Sequence, residues 1–293
     1  MSKSRRLAYL AIIISAFIWG IAPPIIKYTL RFISPISFLF YRFLIASLIV
    51  AIPTILRIKK IKPTKKDWLS YLFLGFLCTP LNLLLLFLGI NKTSAIDASL
   101  ISITAPIFIA IGGVVFLKEC VTKKELLGLG IAVIGTFFTI FQPLLESRSN
   151  FSANIEGNFL VFLGTLVWVC FILLAKKYRH LDPFILSSFS FMVGLVCLIP
   201  FVSLNTKYLI LNTNALYGVL FMAFFSSVVA YFAHLYGLSK IEASEAEVFT
   251  YLQPIFAVPI ASVFLGEKIS APFLLGAALI GIGVFISKSR GRR

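Results

Sequence analysis

Apolar runs of about 18 to 25 residues recur along the chain with only short polar interruptions, and each is about long enough to cross a hydrocarbon core of roughly 30 Å as a helix. The runs predict spans near residues 7–28, 35–56, 67–89, 95–117 and 124–142. After a polar stretch from Glu146 to Gly157, further spans fall near 158–177, 183–203, 214–237, 243–264 and 271–287. Their Leu, Ile, Phe and Val do not follow the strict alternation of a membrane β-barrel. The pattern therefore predicts an all-α polytopic membrane protein with ten transmembrane helices. Lys3, Arg5 and Arg6 precede the first run as in a signal peptide. That run outlasts the usual apolar region of a signal and lacks a convincing small-residue cleavage site, so it reads as a retained first span.

Composition agrees with this picture and makes lipid the principal solvent. Of 293 residues, 59% are hydrophobic and 13% charged, with a mean hydropathy of +1.00. The net charge of +16 would suit a nucleic-acid binder, so the placement of the basic residues decides the matter. Six of the 27 fall on one side of the ten-span topology and Arg42 falls inside a span. The rest gather on the side that holds both termini, including the run from Arg57 to Lys66 and the tail from Lys288. The positive-inside rule makes that side cytoplasmic. The charge thus becomes a topology signal with contact to anionic headgroups as a by-product, and no loop is long enough to hold a nucleic-acid reader. Cys78, Cys120, Cys170 and Cys197 have no ligand-like spacing and read as packing residues. No metal site and no cofactor is expected.

The two halves repeat. An offset of 148 residues brings Gly89 onto Gly237, Lys92 onto Lys240, Ala95 onto Ala243 and Pro106-Ile107-Phe108 onto Pro254-Ile255-Phe256. Glu119 then falls on Glu267, Gly128 on Gly276 and Gly135 on Gly283, and one more residue of offset brings Trp19 onto Trp168. Each unit has five spans, and an odd number makes the second unit enter the membrane from the opposite side. The expected architecture is two inverted five-helix repeats around a central cavity: residues 1–145, a connecting loop at 146–157, and residues 158–293. Such repeats build transporters that open alternately to either face.

The Trp19-Gly20 pair with Lys27, Arg42-Phe43, Pro106, and Glu119 with Gly128 carry a resemblance in the first half. Pro254, Leu265-Gly266-Glu267, Gly276 and Gly281 to Gly283 carry it in the second. On these residues the chain resembles the EamA-type ten-span members of the drug/metabolite transporter superfamily over nearly its whole length. The resemblance implies export of small metabolites or drugs across the cytoplasmic membrane with both termini cytoplasmic. It also implies a cavity lined by spans 1 to 4 and 6 to 9, with spans 5 and 10 outside as supports. Leu117-Lys118-Glu119 departs from the family's Leu-Gly-Glu, and Trp168 lacks the following glycine.

Arg42 is the one strong charge well inside a span. Burial of a guanidinium demands a partner or a wet cavity. It is either an anchor for a substrate carboxylate or phosphate, or a structural arginine that bonds backbone carbonyls or snorkels outward. Lys27 either snorkels to the outer interface or joins Arg42 in an electropositive vestibule. Trp19, Asn82, Trp168, Tyr231, Tyr251 and Gln253 are further candidates for the cavity wall. Glu247 and His234 are the candidates for ion coupling. Pro106 and Pro254 read as mid-helix kinks or hinges, with Pro23-Pro24 and Pro80-Leu81-Asn82 as further breaks. Asp97 and Glu245 sit where a helix dipole favours a carboxylate. Glu119 and Glu267 are read as ties from span 4 to 5 and from span 9 to 10, beside N-cap signals at Thr122 and Ser270. The span-5 and span-10 glycines read as close-packing positions.

An enzyme is disfavoured. The chain has two His, no HExxH pair and no glycine-rich phosphate loop. The sequence thus points to a secondary transporter for small metabolites such as amino acids, or drugs, acting as a monomer or homodimer in the cell membrane. The alternative is a flippase for a lipid or lipid-linked sugar.

Overall fold

The computed structural model describes residues 3–117, 127–128, 130–138, 151–209, 211–241, 246 and 248–287. Among them the chain is helical with no strand. In order come α1 (Lys3–Thr29), α2 (Pro35–Ile61), α3 (Lys65–Phe76), α4 (Asn82–Lys92), α5 (Ala95–Ser102) and α6 (Ala105–Leu117). Then follow α7 (Phe151–Lys177), α8 (Pro183–Leu204), α9 (Thr213–Phe221), α10 (Ala230–Lys240), α11 (Gln253–Leu265) and α12 (Ala271–Ser287). Helical turns also occupy 127–128 and 130–138. Seven of the described helical stretches are long and apolar enough to cross a membrane, and 249–265 and 273–283 are shorter apolar helices.

Local chemistry sets the helix starts. Ser34 and Asp182 occupy corresponding positions, each accepting from first-turn N–H groups with a proline at the next residue, where a missing N–H costs nothing. Thr64 and Asp67 form a reciprocal capping box at the start of α3. Ser270 receives the Phe273 N–H at 3.3 Å, as its N-cap reading expects.

Two interruptions recur at the repeat offset. A π-helical segment Leu77–Leu81 joins α3 to α4, and another, Met222–Val229, joins α9 to α10. The extra residue per turn lets the first accommodate Pro80 without ending the rod. The fourth predicted span breaks at Ile103-Thr104, and the ninth runs as a 3₁₀ turn, Val248–Leu252, before α11. Pro106 and Pro254 are therefore not mid-helix kinks. Each lies in the first turn of a new helix, where no i−4 carbonyl awaits its N–H. Pro23-Pro24 makes no break, since α1 runs unbroken through both.

Glycine contacts show how the rods associate. A Cβ on Gly157 would lie 2.8 Å from the Thr93 nitrogen and 2.9 Å from the Gly89 carbonyl oxygen, so the end of α4 and the start of α7 meet backbone to backbone. At the corresponding place in the other half, a Cβ on Gly237 would lie 2.5 Å from Ile12 and 3.1 Å from the Ala8 carbonyl, joining α10 to α1. Helices α4, α6 and α7 form one packed trio and α10, α11 and α1 another, with α2 and α8 packed against each other between them. Gly135 and Gly283 do pack the 130–138 turns against α12, whereas Gly130 and Gly281 meet nothing within 4 Å. Phe38, Phe43, Phe87, Phe171 and Phe191 fill the interior, while Leu48, Ile52, Val263, Phe264 and Phe285 face outward.

Gly157→Ala is expected to lower thermal stability in detergent, at a cost of about 1–3 kcal/mol, because the crossing helices must separate. Gly281→Ala, with open space at its Cβ, should leave the melting temperature unchanged or slightly raised.

Candidate functional site

The interruptions converge on a cavity of about 120 Å³ at the centre of the bundle. Its polar wall is made by Arg42, Asn82, Ser102, Thr165, Ser226 and Gln253, and its aromatic wall by Trp19, Trp168 and Tyr231. Ser226 comes from one π segment, and Asn82 directly follows the other. Ser102 ends α5 at the break, and Gln253 begins α11. Gly20 allows this closeness: a Cβ there would approach the Gln253 backbone to 3.1 Å.

Arg42 is 1% exposed. Its Nε donates to Ser227 Oγ at 2.8 Å and its Nη2 to Ser226 Oγ at 3.3 Å, and its Cζ stands 5.7 Å from the centre of the Phe87 ring. Neither structural reading from the sequence describes it, since its bonds go to serine hydroxyls and it does not reach the interface. Among the described residues no carboxylate bridges it. Hydroxyls supply hydrogen bonds but no compensating charge, so the guanidinium is suited to an anionic group entering the cavity.

The aromatic wall is a continuous cluster. Trp19 meets Trp168 edge-on at 5.5 Å and Tyr231 at 5.1 Å, and its Nε1 donates to the Ser226 carbonyl at 3.2 Å. His234 is 1% exposed and lies beside these rings, 4.9 Å from Trp19 and 5.6 Å from Trp168. Asn82 Nδ2 donates to the Gly164 carbonyl at 2.8 Å, which fixes the amide at the wall.

The structure therefore gathers Arg42, Trp19, Asn82, Trp168, Tyr231 and Gln253 at one cavity, with His234 in contact with its tryptophans. It does not bring Tyr251 there. Tyr251 and Pro254 line a separate apolar cleft with Leu100, Val258 and Phe273. Lys27 does not line this cavity; its ammonium donates to the Ile90 and Asn91 carbonyls at 2.9 and 3.2 Å, which ties it to the end of α4. Glu267 does not tie its own span to the next. Its carboxylate accepts from the Ala95 and Ile96 N–H groups at 2.9 and 3.0 Å, where the unsatisfied donors of α5 offer a better partner than a neighbouring lysine. Glu119, Thr122, Glu245 and Glu247 lie outside the described residues. No group of three or more His, Cys, Asp or Glu able to hold a metal occurs among the described residues. Sequence reasoning missed Ser226 and Ser227, whose signal is a polar pair inside the apolar run from Met222 to Ala230.

Comparison with known proteins gives this geometry a family. The profile of the EamA-like transporter family matches twice, over residues 6–141 and 155–288. The chain belongs to the EamA-like transporter family. An uncharacterized transporter of Archaeoglobus fulgidus is 30% identical over 279 residues, covering 95% of this chain and 97% of that protein. The uncharacterized transporter YyaM of Bacillus subtilis is 32% identical over 265 residues, covering 88% and 86%. A solved crystal structure shares the fold with a TM-score of 0.70 over 96% of each chain, at 13% identity. This EamA-like chain is a multi-pass membrane protein, and its family is one of membrane transporters.

Ser227→Ala should destabilise the protein by about 1–3 kcal/mol by leaving a buried guanidinium donor unpaired. Ser227→Thr keeps the hydroxyl and should retain most of that stability. Thermal unfolding in detergent separates the two.

Proposed function

We propose that the protein is a secondary transporter that carries small organic solutes bearing an anionic group, amino acids and related metabolites among them, out across the cell membrane by alternating access. The observation that carries this reading is Arg42, a buried guanidinium held by two serine hydroxyls at the wall of a central aromatic cavity. The substrate's anionic group pairs with Arg42, and its apolar part packs on Trp19, Trp168 and Tyr231.

Ten spans and two inverted five-helix units, with boundaries at 1–145 and 158–293, belong to the same reading. Support comes from the recurrence of capped helix starts, π segments, breaks and glycine crossings at one offset. Inversion is favoured by which ends meet. The ends of α1 and α4 lie with the start of α7, and the start of α1 lies with the end of α10. The face holding Ala8, Lys176 and Leu238 carries most of the basic residues, which favours a cytoplasmic position for it and for both termini.

Counterflow of radiolabelled amino acids, nucleobases and small organic acids into proteoliposomes tests the proposal. Saturable exchange of carboxylate-bearing solutes is expected, with Arg42→Ala weakening apparent affinity by about tenfold or more, the size of one lost charge-assisted hydrogen bond. Folded protein that exchanges none of these solutes would sink the reading in favour of a lipid-linked cargo.

A further inference from the structure

Two lysines outside the cavity reach from one helix trio to the backbone ends of the other, and a glutamate that follows α11 holds the start of α5, the helix next to one of those ends. At one face, Lys27 near the end of α1 donates to the Ile90 and Asn91 carbonyls that close α4. Glu267, just past α11, accepts from the Ala95 and Ile96 N–H groups that open α5. The link between α4 and α5 is thus gripped from both sides by members of the α1, α10, α11 trio. A cation at a helix carboxyl end and a carboxylate at an amino end both match the helix dipole. Glu267 also lies close enough to act electrostatically on Lys27.

At the opposite face the arrangement is exchanged between trios. Lys176, near the end of α7, donates to the Leu238 and Ile241 carbonyls at the end of α10, at 3.2 and 2.6 Å. Lys176 corresponds to Lys27 at an offset of 149 residues, and Leu238 corresponds to Ile90 at 148. The two acceptor helices also end alike, with Thr93 N–H on the Gly89 carbonyl and Ile241 N–H on the Gly237 carbonyl.

We propose that Lys27 with Glu267, and Lys176, are the latches of two opposed gates, positioning residues that set which face the cavity opens to. This rests on the alternating-access reading. Within each trio the helices cross at glycines too closely for a Cβ to fit between them, so each trio packs over a broad close contact. Relative movement is therefore between trios, and opening a face breaks the latch on that face while the other holds. Bonds from lysine or glutamate to helix ends suit this use, because water replaces them when the face opens.

The test places Ser102→Cys in the cavity of a full-length protein whose four cysteines are replaced by alanine. A membrane-impermeant maleimide is then applied to right-side-out and inside-out vesicles. Lys27→Met and Glu267→Gln should each raise labelling several-fold from the Lys27 face and lower it from the Lys176 face. Lys176→Met should do the reverse, and Lys27→Arg should label like the parent. If Lys27→Met does not fold, Glu267→Gln carries the outcome alone, since its shape is conserved. Two-sided labelling that no variant shifts would reduce the three residues to helix caps and overturn the latches while sparing two-sided access. Labelling confined to one face in every variant would overturn alternating access itself.

Discussion

Lipid offers no hydrogen bonds, so every backbone amide in a span must be satisfied within the protein. An interrupted helix is tolerated only where other groups cover the freed donors and acceptors. All four described interruptions inside the long apolar stretches border the central cavity: the π segments at Leu77–Leu81 and Met222–Val229, the break at Ile103-Thr104, and the 3₁₀ turn at Val248–Leu252. Their neighbours Asn82, Ser102, Ser226 and Gln253 line its wall. Among the described residues, broken backbone and polar side chains come together at this cavity, where Trp19 Nε1 donates to the Ser226 carbonyl within a π segment.

The same constraint acts at the helix ends, with a different solution. The carbonyls at the end of α4 and the amides at the start of α5 are reached by Lys27 and Glu267 from other helices, and the end of α10 by Lys176. Local caps such as Ser94 to the Asp97 N–H supply only part of the need. Long-range caps bind tertiary structure to the integrity of the individual helices. They place charge at helix ends, whereas Arg42 is a deeply buried guanidinium.

Much of this was legible in the sequence because lipid makes hydropathy a direct record of helix position. The predicted spans 35–56, 67–89 and 183–203 lie within or overlap α2, α3 to α4, and α8. Arg42 and Asn82 were readable as cavity residues because a charge or an amide is costly elsewhere in an apolar helix, and Trp19 because it matches Trp168 in the repeat. The partners of Lys27 and Glu267 were not, since a charge near a helix end carries no mark of which distant helix it serves. Pro106 and Pro254 were misread for a related reason: hydropathy runs on unchanged through a break, so the chain looks continuous where the backbone is not. Ser226 and Ser227 went unnoticed because serine is common in membrane helices, bonding its own i−4 carbonyl as Ser188 and Ser190 do here.

The repeat also shows where recognition departs from symmetry. At an offset of 148, Arg42 corresponds to Ser190 and Thr79 to Ser227. The corresponding cross-contacts are both made: Arg42 Nε donates to Ser227 Oγ, and Thr79 Oγ1 donates to the Ser190 carbonyl. One crossing of a long helix with a π segment is thus made twice, once neutral and once with a guanidinium. The tryptophans stay paired, Trp19 with Trp168, on either side of the centre. A scaffold with near-equivalent halves can exchange its two faces at little difference in energy, while a charge present in only one half fixes how a ligand lies. In the proposed function, an anion paired with Arg42 would lie against α2 and the Met222–Val229 segment, with no charged counterpart at Ser190 in the other half. On the proposed function, the helix-end contacts that would change between faces and the guanidinium that would meet the ligand are different residues.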